Sequence, residues 1–298
     1  MAEITPEDVL KAVAQAVPVD CLANIIVIGS LAAGYHFFGE NRDMQIRTKD
    51  VDCVLSPRVE AINVGKNITE SLLQAGWEPK FADGMSGPGT AETPDEKLPA
   101  IRLFPPESKS WYIELLTVPE TEDQRGREWT RVVLPIGHFG IPTFSFLSLT
   151  AYQPHDTPHG IRYARPEMMA LANLLEHPEI KPAAIGELFE GRKTKRSNKD
   201  LGRVLAIARL SHDSDLQLWP RKWEEALQEC FPSQCRQLRK AAGSGLRALI
   251  ASEVDLEQAV WACNNGLLAS KPVTMEQLEF TARRLLQDVL EPFEAGEI

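Results

Sequence analysis

Two aspartates stand two residues apart in a largely apolar, β-branched segment. The segment IRTKDVDCVL spans residues 46–55 and carries Asp50 and Asp52. Residues i and i+2 of a β-strand project from the same face, so we expect both carboxylates to point the same way. Adjacent carboxylates repel unless a cation neutralises them, and oxygen ligands of this kind suit Mg²⁺. The spacing predicts a magnesium site, and the alternative is a pair of acids at a solvated strand end.

A glycine and a serine lie where an apolar run gives way to a helical pattern, in IIVIGSLAAGYHF (residues 25–37). Gly29 would let the backbone approach a ligand closely, and Ser30 would add a hydroxyl to the N–H groups that begin the helix. These donors predict a site for an anion such as a phosphate, and the alternative is an ordinary helix cap. The chain has neither the GxxxxGK(S/T) pattern of a P-loop nor the GxGxxG pattern of a dinucleotide-binding fold.

A third acid is the lone charge in an apolar strand pattern. Glu114 lies within WYIELL (residues 111–116), and glutamate is depleted in strands and is seldom buried without a partner. If this strand pairs with the strand that carries Asp50 and Asp52, Glu114 would add a third carboxylate to the metal site. The alternative is an outward-facing glutamate on an edge strand.

The charge of the whole chain excludes a general nucleic-acid binder. The 298 residues include 32 Lys and Arg against 42 Asp and Glu, a formal net charge of −10, which disfavours broad binding to polyanions. One local exception is the basic segment GRKTKRSNKDLGR at residues 191–203, with six basic residues and one acid. It predicts either a contact for an RNA end or a solvated, basic start of a helix.

The elements that must position these residues fall into two groups. Residues 1–150 alternate strand and helix patterns, whereas residues 160–298 show helical patterns, one of them at 183–190. The expected fold class is therefore α/β (α+β), a mixed sheet with flanking helices followed by a helical domain. Residues 83–99, rich in Gly, Pro and acids, predict a mobile surface loop, and residues 152–160 predict a linker.

Other compartments and site types are disfavoured by composition. The five cysteines are scattered without a CxxC pair, which favours reduced thiols and no structural zinc. No apolar run reaches the roughly 20 residues that span a bilayer. The first residues, MAEITPEDVL, do not resemble a signal peptide. We therefore expect a cytoplasmic protein without a membrane partner.

The order of these motifs resembles the DNA-polymerase-β-type nucleotidyltransferase superfamily: a strand ending in Gly-Ser, a helix, a strand with Asp-x-Asp, and a later strand with a third acid. The wording RTKDVD at residues 47–52 resembles the branch of abortive-infection and type IV toxin–antitoxin toxins. Residues 165–177 and 195–210 are similar to two helices that follow the core in that branch. The resemblance covers roughly residues 24–210 and implies a nucleotidyltransferase-like sheet.

The resemblance also implies a mechanism. Gly29 and Ser30 would hold the phosphates of a nucleoside triphosphate. Asp50, Asp52 and Glu114 would bind two Mg²⁺ ions, one to activate an acceptor hydroxyl and one to stabilise the departing pyrophosphate. Glu114 would in addition act as the base for the acceptor.

The resemblance implies roles for further residues. Lys199 and Arg47 would neutralise charge that develops on the phosphoryl oxygens. Asp200 would orient Lys199 or cap its helix. Asn173 departs from the pattern, because it stands where such proteins often place a lysine that faces the triphosphate. Lys49 or the basic residues at 192–199 would then substitute for it.

The function implied is Mg²⁺-dependent transfer of a nucleoside monophosphate from an NTP such as ATP to an RNA, at a tRNA 3′ end, or to a protein hydroxyl. The branch further implies a toxin of a toxin–antitoxin or phage-defence system, with a cognate antitoxin as partner. The alternative is a catalytically inactive binding module of the same fold in such a complex. A Mg²⁺-dependent phosphohydrolase, which would release phosphate without labelling an acceptor, is a third hypothesis.

Overall fold

The chain divides into two compact units. The structure, a computed structural model, describes residues 2–39, 41, 44–82, 84–85, 87–124, 126–177 and 193–297. The first unit comprises Met1–Ala32 and Thr48–Ala164, and the second comprises Ala33–Arg47 and Arg165–Ile298. The domains predicted from sequence were residues 1–150 and 160–298. Those domain bounds stay a prediction; the compact units divide after Ala164, and residues 33–47 belong to the second unit.

Eleven strands are described, and seven of them form one mixed sheet in the order β10-β11-β2-β4-β7-β6-β5. Their bounds are β1 (Ala2–Ile4), β2 (Ile25–Val27), β3 (Ile46–Thr48), β4 (Asp50–Leu55), β5 (Glu78–Pro79), β6 (Arg102–Phe104), β7 (Tyr112–Thr117), β8 (Glu128–Leu134), β9 (Gly137–Thr143), β10 (His155–Asp156) and β11 (Arg162–Tyr163).

The centre of this sheet is β4. It runs antiparallel to β2 and parallel to β7, and β7 in turn is antiparallel to β6. The register places Asp50 opposite Tyr112 and Asp52 opposite Glu114. Glu114 also lies opposite Arg102 of β6. The sheet therefore aligns the charged residues of three neighbouring strands on one face.

The opposite face of β4 is the core of the first unit. Val51, Cys53 and Leu55 are buried there, because alternate residues of a strand face opposite ways. Helix α3 (Arg58–Gln74) packs on this face. A Cβ at Gly65 would lie 2.6 Å from Ile141 Cδ1 and 3.2 Å from Leu55 Cδ1. Glycine thus lets α3 approach both the sheet and the β8–β9 hairpin.

The acidic and glycine-rich loop after β5 is attached to that hairpin. Gly89 exchanges backbone hydrogen bonds of 2.9 Å with His138 of β9. The Arg131 guanidinium of β8 donates to the carbonyls of Thr90 and Thr93 and to Asp95 Oδ1. The prediction of a mobile loop at residues 83–99 did not foresee these bonds, because their donor is distant in sequence. Residues 83 and 86 lie outside the described part of the chain.

Thirteen α-helices lie in the described part of the chain. The first unit holds α1 (Pro6–Ala16), α3 and α4 (Leu147–Thr150), and α2 (Gly29–Phe38) begins in the first unit and ends in the second. The second unit holds α5 (Pro166–Glu176), α6 (Arg196–Leu210), α7 (Asp213–Leu216), α8 (Trp219–Cys230), α9 (Cys235–Ala241), α10 (Ser244–Ile250), α11 (Glu253–Asn264), α12 (Met275–Leu285) and α13 (Glu291–Ala295). The predicted helix at 183–190 lies outside the described residues.

Helix α6 is the centre of the second unit. It packs against α5, α10, α11 and α12. A Cβ at Gly202 would lie 2.9 Å from the Ala259 carbonyl oxygen, and the Cys263 thiol donates to the Gly202 carbonyl at 3.0 Å. The backbones of α6 and α11 therefore lie unusually close at this crossing.

The predicted fold class, a mixed sheet with flanking helices followed by a helical region, is confirmed. One correction concerns residues 152–160, which were predicted to be a linker. Part of this segment is β10, which pairs with β11 and extends the edge of the sheet. Over the described residues, the helices do not combine the length and apolar composition that a membrane span requires.

Candidate active site

Asp50 and Asp52 lie on the same face of β4, as their spacing predicted. Both are half-buried, while Val51 and Cys53 between and after them are buried on the other face. The Thr48 hydroxyl donates to Asp50 Oδ1 at 2.9 Å, and it also lies 3.1 Å from the Asp50 carbonyl oxygen. Thr48 therefore fixes the orientation of the first carboxylate.

The start of helix α2 lies against the second carboxylate. Gly29 has φ +74°, and a Cβ at this position would be 3.0 Å from Asp52 Oδ2. The Ile28 N–H donates to the Asp52 carbonyl at 2.9 Å, which joins the end of β2 to β4. The missing side chain of Gly29 thus opens the space that the Asp52 carboxylate occupies beside the first turn of α2. Ser30 is the second residue of that turn and is half-buried.

Glu114 is the neighbour of Asp52 across the sheet, and it is only 7% exposed. Arg102 Nε donates to Glu114 Oε2 at 2.9 Å, and Arg102 Nη2 donates to Glu114 Oε1 at 3.1 Å. Arg127 Nη2 lies 3.8 Å from Oε1. The third acid is therefore on the predicted strand and face, and its carboxylate forms a bidentate ion pair with an arginine.

An aromatic row lies beside these charges on the same face. Tyr112, opposite Asp50, forms an edge-to-face contact with Phe104 at 5.8 Å between centroids, and Lys80 Nζ lies 3.9 Å from the Tyr112 ring centroid. Burial, and after it the negative charge of Asp50, raise the pKa of the Tyr112 hydroxyl well above its usual value. The phenol therefore stays protonated at neutral pH.

The side chains fit a divalent cation in part. Asp50 and Asp52 are hard oxygen ligands on one face, and Gly29 leaves room for the Asp52 carboxylate. Both carboxylate oxygens of Glu114 accept hydrogen bonds from the Arg102 guanidinium. Across the ranges that the structure describes, no group of three or more His, Cys, Asp or Glu residues is placed to hold a metal ion. The three-carboxylate centre therefore stays a prediction.

The other predicted site residues belong to other elements. Lys49 is exposed in the break between β3 and β4, and its carbonyl accepts from the Tyr112 N–H at 2.9 Å. Arg47 belongs to the second unit, where its N–H donates to the Gly266 carbonyl. Lys199 and Asp200 lie on α6 and Asn173 lies on α5, also in the second unit.

The basic segment is less cationic than its composition suggests. Lys195 Nζ pairs with Asp255 at 2.6 Å. Asp200 is buried and lies 3.8 Å from Arg196 and 3.9 Å from Arg203. Asp200 therefore balances two arginines of its own helix and lies beyond the first turn, so a capping role does not apply. Residues 191–192 lie outside the described part of the chain.

Sequence reasoning missed the residues that partner the carboxylates. Arg102, Tyr112 and Thr48 are all placed by sheet register or by the turn before β4. Arg102 had one signal, since it is the only charged residue in the apolar run AIRLF at residues 100–104. That signal becomes interpretable only when β6 is known to pair with β7.

No protein-family model matches the chain, and no curated protein matches it. An antigenic nucleotidyltransferase-like protein from Paracoccidioides brasiliensis has 17% identity and a TM-score of 0.36, over 88% of this chain and 95% of that one. The Megavirus polyadenylate synthase has 13% identity and a TM-score of 0.37, over 91% of this chain and 50% of that one. Neither name mentions a toxin.

Proposed function

We propose that this chain is a metal-dependent nucleotidyltransferase. The observation that carries the proposal is the pair Asp50 and Asp52 on one face of β4, with the Asp52 carboxylate in the space that Gly29 leaves at the start of α2. Two carboxylates that would hold a metal and a helix start that would bind an anion are thereby adjacent, which is the combination that a metal-bound triphosphate requires.

The residues of the first unit divide the work. The Ser30 hydroxyl and the N–H groups of the first turn of α2 would donate to phosphate oxygens. Asp50 and Asp52 would hold the divalent cation, with Asp50 oriented by Thr48. When bound, the cation would supply positive charge to the phosphates and to the departing pyrophosphate. Glu114 would accept the proton of an acceptor hydroxyl only when its carboxylate is released from Arg102.

The finer assignments belong to the proposal as well. Lys199 and Arg47 would neutralise charge on the phosphoryl oxygens, and the acceptor would be a tRNA 3′ end or a protein hydroxyl. A role as a toxin with a cognate antitoxin is the biological form of the same proposal. These assignments rest on the resemblance of residues 47–52 and 195–210.

The test is incorporation of label from each NTP in turn, with Mg²⁺, total tRNA and cell extract. We expect label in one acceptor class, and we expect Asp50→Asn and Asp52→Asn to reduce it by about a hundredfold or more because the cation loses its ligands. Asp156→Asn, on the exposed edge strand β10, is the matched control and should retain activity. Undiminished labelling in Asp50→Asn or Asp52→Asn, with native melting, would reject the site.

One observation favours the inactive binding module as a second candidate. The Glu114 carboxylate, which would act as the catalytic base, is held in an ion pair with Arg102. A binding module should bind an NTP without transferring label to any acceptor, whereas the enzyme should do both. Equilibrium binding and the labelling assay on one preparation separate the two.

A further inference from the structure

We propose that Arg102 takes the counter-charge position at Glu114 that a divalent cation would otherwise take, so that Arg102 limits metal binding on the carboxylate face. The inference rests on the proposed function, since it assumes a metal at Asp50 and Asp52. The inference adds Arg102 to the site as a residue that weakens metal binding there.

The first step is the register of three strands. Asp52, Glu114 and Arg102 lie opposite one another on β4, β7 and β6, so their side chains share one face. Neighbouring strands are only about 4.8 Å apart. Two carboxylates in such a position repel, and the arrangement is stable only with a nearby cation. In this structure the guanidinium on the third strand supplies that charge.

The second step is the strength of the pair. Both Glu114 oxygens accept from Arg102, at 2.9 and 3.1 Å, and the side chains are 9% and 17% exposed. Planar, bidentate and shielded pairs are the strongest of their kind. Arg127, at 3.8 Å from Glu114 Oε1 and 37% exposed, contributes a weaker and more screened attraction. Arg102 is therefore the charge that any metal at Glu114 has to displace.

The third step is the consequence for the metal. A cation at Asp50 and Asp52 is repelled by the positive charge of Arg102. Glu114 cannot coordinate that cation while the Arg102–Glu114 ion pair persists. Removing the charge of Arg102 removes the repulsion and releases a third carboxylate. Loss of the repulsion and release of Glu114 both strengthen cation binding, so the two effects add.

The experiment measures Mn²⁺ affinity by titration with electron paramagnetic resonance, which reads binding and not turnover. We expect Arg102→Gln to bind Mn²⁺ about tenfold or more tightly than the wild-type protein, because a nearby positive charge is gone. The added tightness should disappear in Arg102→Gln/Glu114→Gln. Arg127→Gln is the matched control, and its affinity should change by less than about threefold.

Folding is checked by thermal melting without Mn²⁺. If Arg102→Gln fails to fold, Arg102→Lys replaces it, because lysine keeps the charge and loses the bidentate geometry. It should bind Mn²⁺ more tightly than the wild-type protein, although less so than a neutral variant. Unchanged or weaker Mn²⁺ binding in the variant that folds would overturn the inference.

The same titration separates this inference from the proposed function. Asp50→Asn and Asp52→Asn should both weaken Mn²⁺ binding if the metal site is right. If they do so and Arg102 variants have no effect, only the role of Arg102 is rejected. If neither aspartate variant alters Mn²⁺ binding, the metal site and the proposed function fall together.

Discussion

Gly29 combines a left-handed backbone conformation with the absence of a Cβ, and no other residue type supplies both. Its φ of +74° lies in the left-handed region, and its bare Cα leaves room for Asp52 Oδ2. The sequence identified Gly29 and Ser30 as a pair that could face an anion. It did not reveal that the nearest carboxylate would be that of Asp52, because this contact depends on β2 pairing with β4.

Replacing Gly29 by alanine tests this contact. We expect Gly29→Ala to lose about 1–2 kcal/mol of stability from the left-handed backbone and about tenfold or more of nucleotide transfer from displacement of the Asp52 carboxylate. Gly76→Ala is the control, since Gly76 has φ +85° and an added Cβ would meet only ordinary contacts 3.6 Å away. Equal losses of transfer in both variants would mean that strain, and not Asp52, is responsible.

The prediction for Glu114 shows where residue-level reasoning stops. A lone glutamate in an apolar strand pattern indicated a buried carboxylate with a partner, and Glu114 is buried with one. The sequence suggested a metal as that partner, whereas the structure shows Arg102. Nothing in residues 111–120 distinguishes the two, because the partner lies on another strand.

At the scale of elements, local patterns predict some helices closely and miss a strand that depends on its partner. The sequence pattern predicts helices at residues 6–17, 59–75 and 166–177, and α1, α3 and α5 begin and end within one residue of these bounds, because a helix is specified by its own periodicity. The segment GHFGIPT at residues 137–143 has two glycines and a proline and was not predicted, yet it forms β9 by pairing with β8 along its full length. A strand of this composition exists because of its partner.

The start of α6 is another feature set by a partner element. Asp255 of α11 accepts from Lys195 and from Asn198. Burial alone would raise the pKa of Asp255, but these hydrogen bonds outweigh it and lower the pKa below its usual value. The ionised carboxylate therefore connects α11 to α6.

Asp255→Asn tests this connection through its pH dependence. Because the folded pKa is lowered, the stabilisation is complete above the usual carboxyl pKa of about 3.9 and is lost as the pH falls through the folded value. We expect a loss of about 0.5–1 kcal/mol at pH 7, which shrinks below about pH 4. Melting curves from pH 7 to pH 3 measure it, with Glu253→Gln in the same turn as control. A loss that stays constant over this range would contradict the role of the charge.

At the scale of the whole molecule, the structure shows where some of the acids behind the net charge of −10 lie. Asp50, Asp52 and Glu114 place three of the 42 acids on one face of one sheet, and Arg102 balances one of them. In the second unit, Asp200 and Asp255 pair with residues of the basic segment. Asp200 is already counted in the composition of that segment, so Asp255 is the added acid, and it offsets the charge of Lys195 in the described part of the segment.

The pairing of charges also determines how the whole molecule should respond to ligand. Mg²⁺ and an NTP together should bind the native state and raise the thermal midpoint. At a ligand concentration one hundred times Kd, the free energy of unfolding should rise by about 2.7 kcal/mol. Mg²⁺ alone should raise it less, because Arg102 occupies Glu114 and leaves two carboxylates facing the metal. Asp52→Asn should abolish the combined shift, and Asp156→Asn should preserve it. A shift of equal size in Asp52→Asn would place the nucleotide elsewhere on the chain, since Asp52 is the carboxylate that lies against the start of α2.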